Sequence, residues 1–182
     1  GDPPENGDPG PGDFPHAIDL VRFIQSFNES GGHPNGGFSI GIAGYPEGHH
    51  ETPNLLTEMD HFQAKVDAGA DFVVTQLFFD NEDFLRFRDH MVKELGMHQT
   101  IIPGILPVLS TRQIQRFTKL CGASIPTPMM QRLEDLSEDD AAAAAFGIEY
   151  AVGQCEELLK EGVAGLHFYC LNKAHSTLEV AR

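Results

Sequence analysis

The sequence is short of basic residues: 12 Lys and Arg stand against 27 Asp and Glu, a formal net charge of -15. A surface of that sign repels phosphates, which argues against a nucleic-acid partner and against attraction to anionic lipids. No apolar run reaches the roughly 18 residues of a membrane span, and no basic segment followed by an apolar one suggests a signal peptide. We therefore expect a cytoplasmic protein without a membrane partner.

Cysteine is equally scarce. Cys121, Cys155 and Cys170 lie far apart, each within or beside an apolar run. This spacing predicts neither a disulfide framework nor a CxxC metal site, so we expect free thiols, a reducing compartment and no metal.

The chain also lacks an initiator Met and opens with GDPPENGDPGPGDFP. We expect residues 1–15 to form a Gly- and Pro-rich loop, and the chain to start inside a larger protein. Its 182 residues are 41% hydrophobic, which suits one globular core, and residues 16–182 are the α/β part.

Short apolar runs alternate with amphipathic stretches after that loop. Four runs predict parallel strands buried on both faces: FSIGIAGYP (38–46), FVVTQLFF (72–79), TIIPGILPV (100–108) and AGLHFYCL (164–171). The stretches between them predict helices, of which two precede the fourth strand and the last begins with a capping-box spacing at Ser137 and Asp140. Helix ends are predicted near Gly69, Gly122 and Gly162.

The predicted order α-β-α-β-α-β-α-α-β indicates an α/β fold with a parallel sheet, either a (β/α)8 barrel or a doubly wound sheet. No GxGxxG follows a strand and no P-loop is present, which weakens the doubly wound dinucleotide interpretation. A barrel is favoured, although four strands cannot close one. In both architectures ligands bind at the carboxyl ends of the strands.

Polar residues at those ends have two interpretations each. His49, in AGYPEGHHE (43–51), is either a surface loop histidine or a ligand contact. Gln76 interrupts an apolar strand, and its carboxamide needs either an interior hydrogen bond or a ligand. In IIPGILP, Gly104 marks either a bulge or a place where a flat ring lies against the backbone.

A polar stripe follows on the second helix. Glu58, His61 and Lys65 fall at i, i+3 and i+7. The stripe is either a solvated face or, at the mouth of a barrel, a set of side chains that reaches a phosphate or ribose.

Four segments together resemble the methylenetetrahydrofolate reductase family. They are AGYPEGHHE, KVDAGADFVVTQLFFD, IIPGILPV with Gln113 and Phe117 behind it, and GVAGLHFYCLNKA. The resemblance runs from end to end of the chain, and GIEYAVGQCEELLKEGVAGLHFY is similar to the eukaryotic form.

The resemblance implies a (β/α)8 barrel, of which this chain holds about the last four strands. It implies FAD bound noncovalently at the strand ends, with NADH or NADPH as hydride donor. The reaction would reduce 5,10-methylenetetrahydrofolate to 5-methyltetrahydrofolate, within one-carbon metabolism and methionine biosynthesis, in a homo-oligomer.

The same resemblance assigns roles to residues. Asp2 is the implied catalytic residue, an anion near the flavin that favours a cationic iminium form of the substrate. The implied flavin-binding residues are Ala43, Tyr45, His49, Glu58, His61 and Lys65. The implied folate- or nicotinamide-binding residues are Gln76, Gln113, Phe117, Tyr169 and Lys173.

The chain departs from the family pattern at several places. Glu58 stands where bacterial members often have Asp, His61 replaces a frequent Asn, and Lys173 replaces a substrate-binding Arg whose bidentate fork a Lys does not reproduce. The first four strands and their general-acid Glu are missing, so we do not expect the chain alone to turn over. Two alternatives stay open: a noncatalytic homologue that pairs through its open strands, and another α/β barrel that binds a phosphorylated ligand without flavin.

Overall fold

The computed structural model describes residues 12–49, 52 and 54–182, and within them helices alternate with four strands. The elements, in chain order, are α1 (Ala17–Glu29), β1 (Gly41–Gly44), α2 (Leu55–Asp67), β2 (Phe72–Leu77), α3 (Asn81–Asp89), a π-helical turn (His90–Glu94), β3 (Thr100–Ile105), α4 (Thr111–Cys121), α5 (Thr127–Asp135), α6 (Asp140–Lys160), β4 (His167–Phe168) and α7 (Ala174–Val180). The predicted α/β class is confirmed.

The four strands form one parallel sheet in the order β1-β2-β3-β4, so each strand pairs with the next along the chain. Phe72 stands opposite Gly41 on one side and Thr100 on the other. Each strand is shorter than the apolar run that predicted it, and β4 keeps only two residues.

Side-chain caps explain where several helices begin. Asn54 accepts from Thr57 N before α2, Asp80 from Glu82 N before α3, and Ser110 from Gln113 N before α4. The predicted cap of α6 was wrong, since Asp139 rather than Ser137 accepts from the first amides of that helix.

Glycine follows three helices in the predicted way, and Gly69 and Gly162 adopt φ 108° and 78° one residue after the C-caps of α2 and α6. Gly122 adopts φ 74° directly after α4, and its N–H donates to Thr118 O. This left-handed backbone is one that Gly adopts without the steric penalty of a Cβ.

Two helices were not predicted. α5 begins within the sequence IPTP (125–128), whose prolines argue for a loop. Pro is nevertheless well tolerated in the first turn of a helix, because the N–H that it lacks would have no intrahelical partner there. The other, α7, has only seven residues and buries Ser176 alone, so it offers little hydrophobic periodicity.

The core has two parts. The first lies between the sheet and α1, α2, α3 and α6, with Phe62, Phe84 and Met91 fully buried. The second surrounds Ile114 and Leu133 beyond the ends of β2 and β3. Among the described residues, no helix combines the length and apolar character that a membrane crossing requires.

The helices cover one face of the sheet, which corrects the expectation of strands buried on both faces. In β1 the side chain of Ile42 is buried and Ala43 is exposed; in β4 His167 is exposed. Successive side chains of a strand point to opposite faces, and the described helices pack on one of them. The other face is therefore left to line a site.

Candidate functional site

The loop after β1 carries an aromatic pair. The rings of Tyr45 and His49 meet edge to face, with centroids 4.6 Å apart, and both side chains are half-buried. Between them Gly48 adopts φ 86°, a backbone conformation that favours glycine. This loop is ordered by contacts of its own, and Ala43 lies just before it with its side chain on the open face of the sheet.

Two members of the polar stripe on α2 turn inward. Glu58 is 5% exposed and accepts a hydrogen bond from Thr52 Oγ1 at 2.7 Å. The ammonium of Lys65 donates to Ala43 O at 3.3 Å and lies 5.6 Å from the centroid of Phe62. Burial lowers the pKa of Lys65, and the negative charge of Glu58 acts in the opposite direction.

His61 belongs to the same stripe but is exposed. The stripe is thus a solvated face only at His61. At Glu58 and Lys65 it forms a polar wall beside the end of β1.

Gln76 lies at the end of β2, where it lines a small cavity with Tyr45 and the segment Cys121 to Ala123. Its Oε1 accepts from Leu77 N at 2.8 Å. One of the two alternatives left open for Gln76, an interior hydrogen bond, is therefore present, and it uses the acceptor of the side chain. The two Nε2 donors have no acceptor among the described residues.

Glu47 was not singled out from the sequence, although it is the one acid between Tyr45 and His49. Its Oε2 accepts from Ser124 N at 2.8 Å, which ties the loop after β1 to the turn after α4. Its Oε1 is buried and has no partner among the described residues. Burial raises the pKa of Glu47, partly offset by the bonds from Ser124.

A second cleft, of about 320 Å³, lies on the other side of Glu47. Its wall includes His49, Thr52 and Glu58, together with Gly122, which also lines the small cavity. Glu47, Gly48 and Gly122 line both spaces, so the loop after β1 borders both.

Tyr169, which follows β4, reaches across β3. Its hydroxyl donates to Thr75 O at 2.8 Å, and its ring lies against Gly104, 2.6 Å from where a Cβ would stand. A register shift between Val74 and Leu77 accompanies this contact. The ring that lies against Gly104 is thus that of Tyr169, and the extra residue of the irregularity lies in β2 and not at the Pro-Gly pair of β3. Thr75, completely buried, was missed because a Thr in a strand carries no pattern of its own.

The remaining residues implied by the resemblance are not gathered by these cavities. Gln113 Oε1 accepts from Leu109 N at 2.8 Å, Phe117 is half-buried against the second core, and Lys173 is exposed before α7. Asp2 lies outside the described residues. The expected catalytic Asp is therefore not located.

The site thus offers a half-buried cation, two carboxylates, an aromatic pair and an amide with open donors, all at the carboxyl ends of β1 and β2. Such a set suits an organic ligand that carries phosphate, hydroxyl groups and a flat polar ring. Among the residues that the structure describes, no group of three or more His, Cys, Asp or Glu side chains is placed to hold a metal ion.

The chain is similar in sequence to known proteins. A family model described as "Methylenetetrahydrofolate reductase" matches residues 1–182. The "Probable methylenetetrahydrofolate reductase (NADPH)" of Caenorhabditis elegans is 40% identical over 168 residues, which cover 91% of this chain and 24% of that protein. The "Methylenetetrahydrofolate reductase (NADH) 1" of Arabidopsis thaliana is 35% identical over 192 residues, covering 99% of this chain and 31% of that protein.

The chain belongs to the methylenetetrahydrofolate reductase family, and the resemblance stated from its motifs is confirmed. It spans less than a third of the length of either of these relatives.

One solved structure supports the fold. It is described as "Uncharacterized protein from Clostridium thermocellum binds two copies of 5-methyl-5,6,7,8-tetrahydrofolic acid", with a TM-score of 0.53 and 18% identity, covering 91% of this chain and 56% of that chain.

Proposed function

We propose that the chain is the last part of a flavin-dependent methylenetetrahydrofolate reductase barrel. In the intact protein the reaction converts 5,10-methylenetetrahydrofolate to 5-methyltetrahydrofolate with NADH or NADPH as donor. The family membership of the whole chain carries this proposal, and relatives named for NADPH and for NADH leave both donors to be assayed. The Clostridium protein of similar fold, described as binding a methylated tetrahydrofolate, supports a folate ligand.

The barrel architecture is supported by the strand order. Four consecutive parallel strands pair in sequence, as in a (β/α)8 barrel, whereas a doubly wound sheet reverses its order at a switch point. Apolar side chains left exposed on and beside α1, Leu20, Phe23 and Phe38 among them, are suited to packing against further barrel elements. We propose residues 1–182 as one unit of that barrel.

The residues present fit FAD. Lys65 is a half-buried cation beside the end of β1, as a pyrophosphate or ribose phosphate would require. Glu58 and Glu47 offer carboxylate oxygens to ribose or ribityl hydroxyls, and Glu47 Oε1 is a buried acceptor without a partner among the described residues. Tyr45 and His49 supply flat surfaces, and Ala43 leaves the sheet open beside them. When bound, FAD would supply the hydride-accepting and hydride-donating chemistry.

The chain's own groups would orient the reactants. The Nε2 donors of Gln76 would bind a carbonyl or ring nitrogen of the pterin, and Phe117 would add a stacking surface. Gln113, Tyr169 and Lys173 are proposed at the outer part of the same pocket, and His61 at the ribose. Asp2 is proposed as the catalytic anion that would stabilise positive charge on the substrate.

The test is cofactor retention by the full-length protein that the gene encodes. The protein is mixed with FAD, unbound cofactor is removed, and the visible absorbance is read. We expect a retained flavin band that is lost in the Lys65→Ala, His49→Ala double variant. Lys160→Ala, an exposed lysine at the end of α6, is the matched control and should retain the band.

Turnover is then assayed by loss of NADH or NADPH with the folate substrate present. Retained flavin without folate reduction would refute the reductase proposal and favour a noncatalytic binding protein. If neither the wild-type protein nor the Lys160→Ala control retains flavin, and a phosphorylated ligand binds instead, a flavin-free barrel is favoured. The proposal further places the protein in the cytoplasm, as a homo-oligomer that supplies methyl groups for methionine biosynthesis.

A further inference from the structure

The hydrogen-bond ladder between β2 and β3 is rerouted at Thr75. Val74 pairs with Ile102, yet Leu77 pairs with Gly104, so β2 holds one more residue than β3 over this interval. Gly104 N donates to the hydroxyl of Thr75 at 2.9 Å, a side-chain acceptor in place of a ladder carbonyl. The carbonyl of Thr75 accepts from the hydroxyl of Tyr169 at 2.8 Å.

Three residues together make this arrangement possible. Thr75 is 0% exposed, so its hydroxyl and carbonyl both need partners within the protein. Gly104 allows the close approach, because a Cβ there would overlap Thr75 O and stand 2.6 Å from Tyr169 Cε2. Tyr169, directly after β4, reaches across β3, and its hydroxyl donates to the carbonyl of Thr75 at the bulge.

The bulge at Thr75 affects the orientation of the next side chain, that of Gln76. A β-bulge redirects the side chains beside it, and here Gln76 turns its Oε1 onto Leu77 N at 2.8 Å. The amide is thereby held in one orientation, with its oxygen used and its two Nε2 donors without an acceptor among the described residues. An amide held in this way presents donors and not an acceptor to a ligand.

We propose that Thr75 and Tyr169 are positioning residues that act through Gln76: the bulge they hold makes Gln76 a fixed hydrogen-bond donor to the pterin ring of the folate. This inference rests on the proposed function. Because the Tyr169 hydroxyl donates to Thr75 O, Tyr169 contributes to folate affinity through Gln76 and not by a hydroxyl contact of its own.

A double-mutant cycle tests the inference, since it separates a residue that acts through another from one that acts alone. The affinity of the full-length, flavin-loaded protein for 5-methyltetrahydrofolate is measured by calorimetric titration for Tyr169→Phe, Gln76→Ala and the double variant. We expect Gln76→Ala to weaken binding about tenfold and Tyr169→Phe about fivefold, as for the loss of one hydrogen bond. In the Gln76→Ala background, Tyr169→Phe should have almost no further effect.

Thr75 provides the second pair of variants. Thr75→Ser keeps the hydroxyl that Gly104 N needs and should retain affinity, whereas Thr75→Val removes it at nearly the same size and should weaken binding. Flavin content should be the same in all variants, because none of these residues lies on the wall that carries Lys65.

The outcomes separate the two proposals. A wild-type protein that binds neither flavin nor 5-methyltetrahydrofolate overturns the proposed function and this inference with it. A wild-type protein that binds both, with an undiminished effect of Tyr169→Phe in the Gln76→Ala background, overturns the inference alone. An unchanged affinity in Gln76→Ala, or equal losses in Thr75→Ser and Thr75→Val, does the same.

Discussion

Gly147, in the middle of α6, packs its backbone directly against the main-chain carbonyl of Val108. A Cβ added at Gly147 would overlap that oxygen and stand 2.8 Å from the carbonyl carbon. The neighbour is backbone, which cannot move aside as the end of a side chain can. Glycine is therefore required here by the approach of α6 to the segment between β3 and α4.

We predict that Gly147→Ala lowers the free energy of unfolding by about 1–3 kcal/mol, the usual cost of an added group in a packed interior. The matched control is Gly153→Ala in the same helix, where a Cβ would have nothing within 4 Å. That variant should be stabilised by about 0.5–1 kcal/mol, because Ala favours the helix over Gly. Urea titration measures the free energy of unfolding of both variants. Equal changes in the two variants would contradict the packing argument.

Helices and strands with a regular apolar pattern could be predicted from the sequence, because burial on one face gives the apolar residues a regular spacing along the chain. This holds for α2, with its buried Phe62 and Val66, and for β2, with alternate residues buried. It fails for α5 and α7, where the pattern is short or interrupted by Pro. The extent of β4 was also beyond prediction, since only His167 and Phe168 pair with β3, whereas the apolar run is longer.

The site was predicted in part. The strand-end position of Tyr45, His49 and Gln76 follows from the α/β order alone. The tie between Glu47 and Ser124 joins residues 77 positions apart, and the bond from Tyr169 to Thr75 joins residues 94 positions apart. No local pattern encodes such pairs, because they depend on how loops and strands meet in three dimensions.

Glu47 gives the protein a stability that depends on pH. Its pKa in the folded chain lies above the ordinary 4.5, chiefly because of burial. The folded state then binds the proton more tightly than the unfolded state, so the contribution of Glu47 to stability is fully present below pH 4.5 and is lost as the pH rises through the folded pKa.

Glu47→Gln keeps an acceptor for Ser124 N but cannot ionise. We predict that this variant becomes more stable relative to the wild-type protein as the pH rises from below 4.5 toward neutrality. Unfolding by urea at a series of pH values measures the difference, with Glu134→Gln on α5 as the control for removing an exposed carboxylate. A difference that shrinks over this window would show that the charged form of Glu47 is the favoured one.

The three cysteines should differ in reactivity. Burial raises the pKa of Cys155 to about 11, and its side chain is 6% exposed in α6. Burial also raises the pKa of Cys121, whose Sγ donates to Phe117 O at 3.0 Å. Cys170 is exposed after β4.

We predict that iodoacetamide at pH 8 modifies Cys170 first and leaves Cys155 intact until the protein unfolds. The thiolate is the reactive form, and a thiol of pKa about 11 is ionised in only about one molecule in a thousand at that pH, besides being shielded. Peptide mapping by mass spectrometry after timed quenching gives the rates, and urea-unfolded protein provides the unprotected reference. Labelling of Cys155 as fast as Cys170 in the native state would mean that α6 opens readily.

α6 also supports the segment that leaves β2. Gln154 Nε2 donates to Phe78 O at 3.0 Å, and the hydroxyl of Tyr150, one turn earlier, donates to Phe79 O at 2.6 Å. Gln154 O accepts from Asn81 Nδ2 at 3.1 Å. Side chains of one helix thus satisfy two adjacent carbonyls where β2 ends, directly after the bulge that orients Gln76.

We predict that Gln154→Ala lowers the free energy of unfolding by about 1–3 kcal/mol, because it leaves the buried carbonyl of Phe78 without a donor. Gln131→Ala, at an exposed position of α5, is the control and should change stability by no more than about 0.5 kcal/mol. Tyr150→Phe should cost about 1 kcal/mol, and its effect should be smaller once Gln154 is gone, since both bonds hold the same short segment. Urea titration of the two single variants and the double variant measures this coupling; strictly additive losses would show that the two carbonyls are held independently.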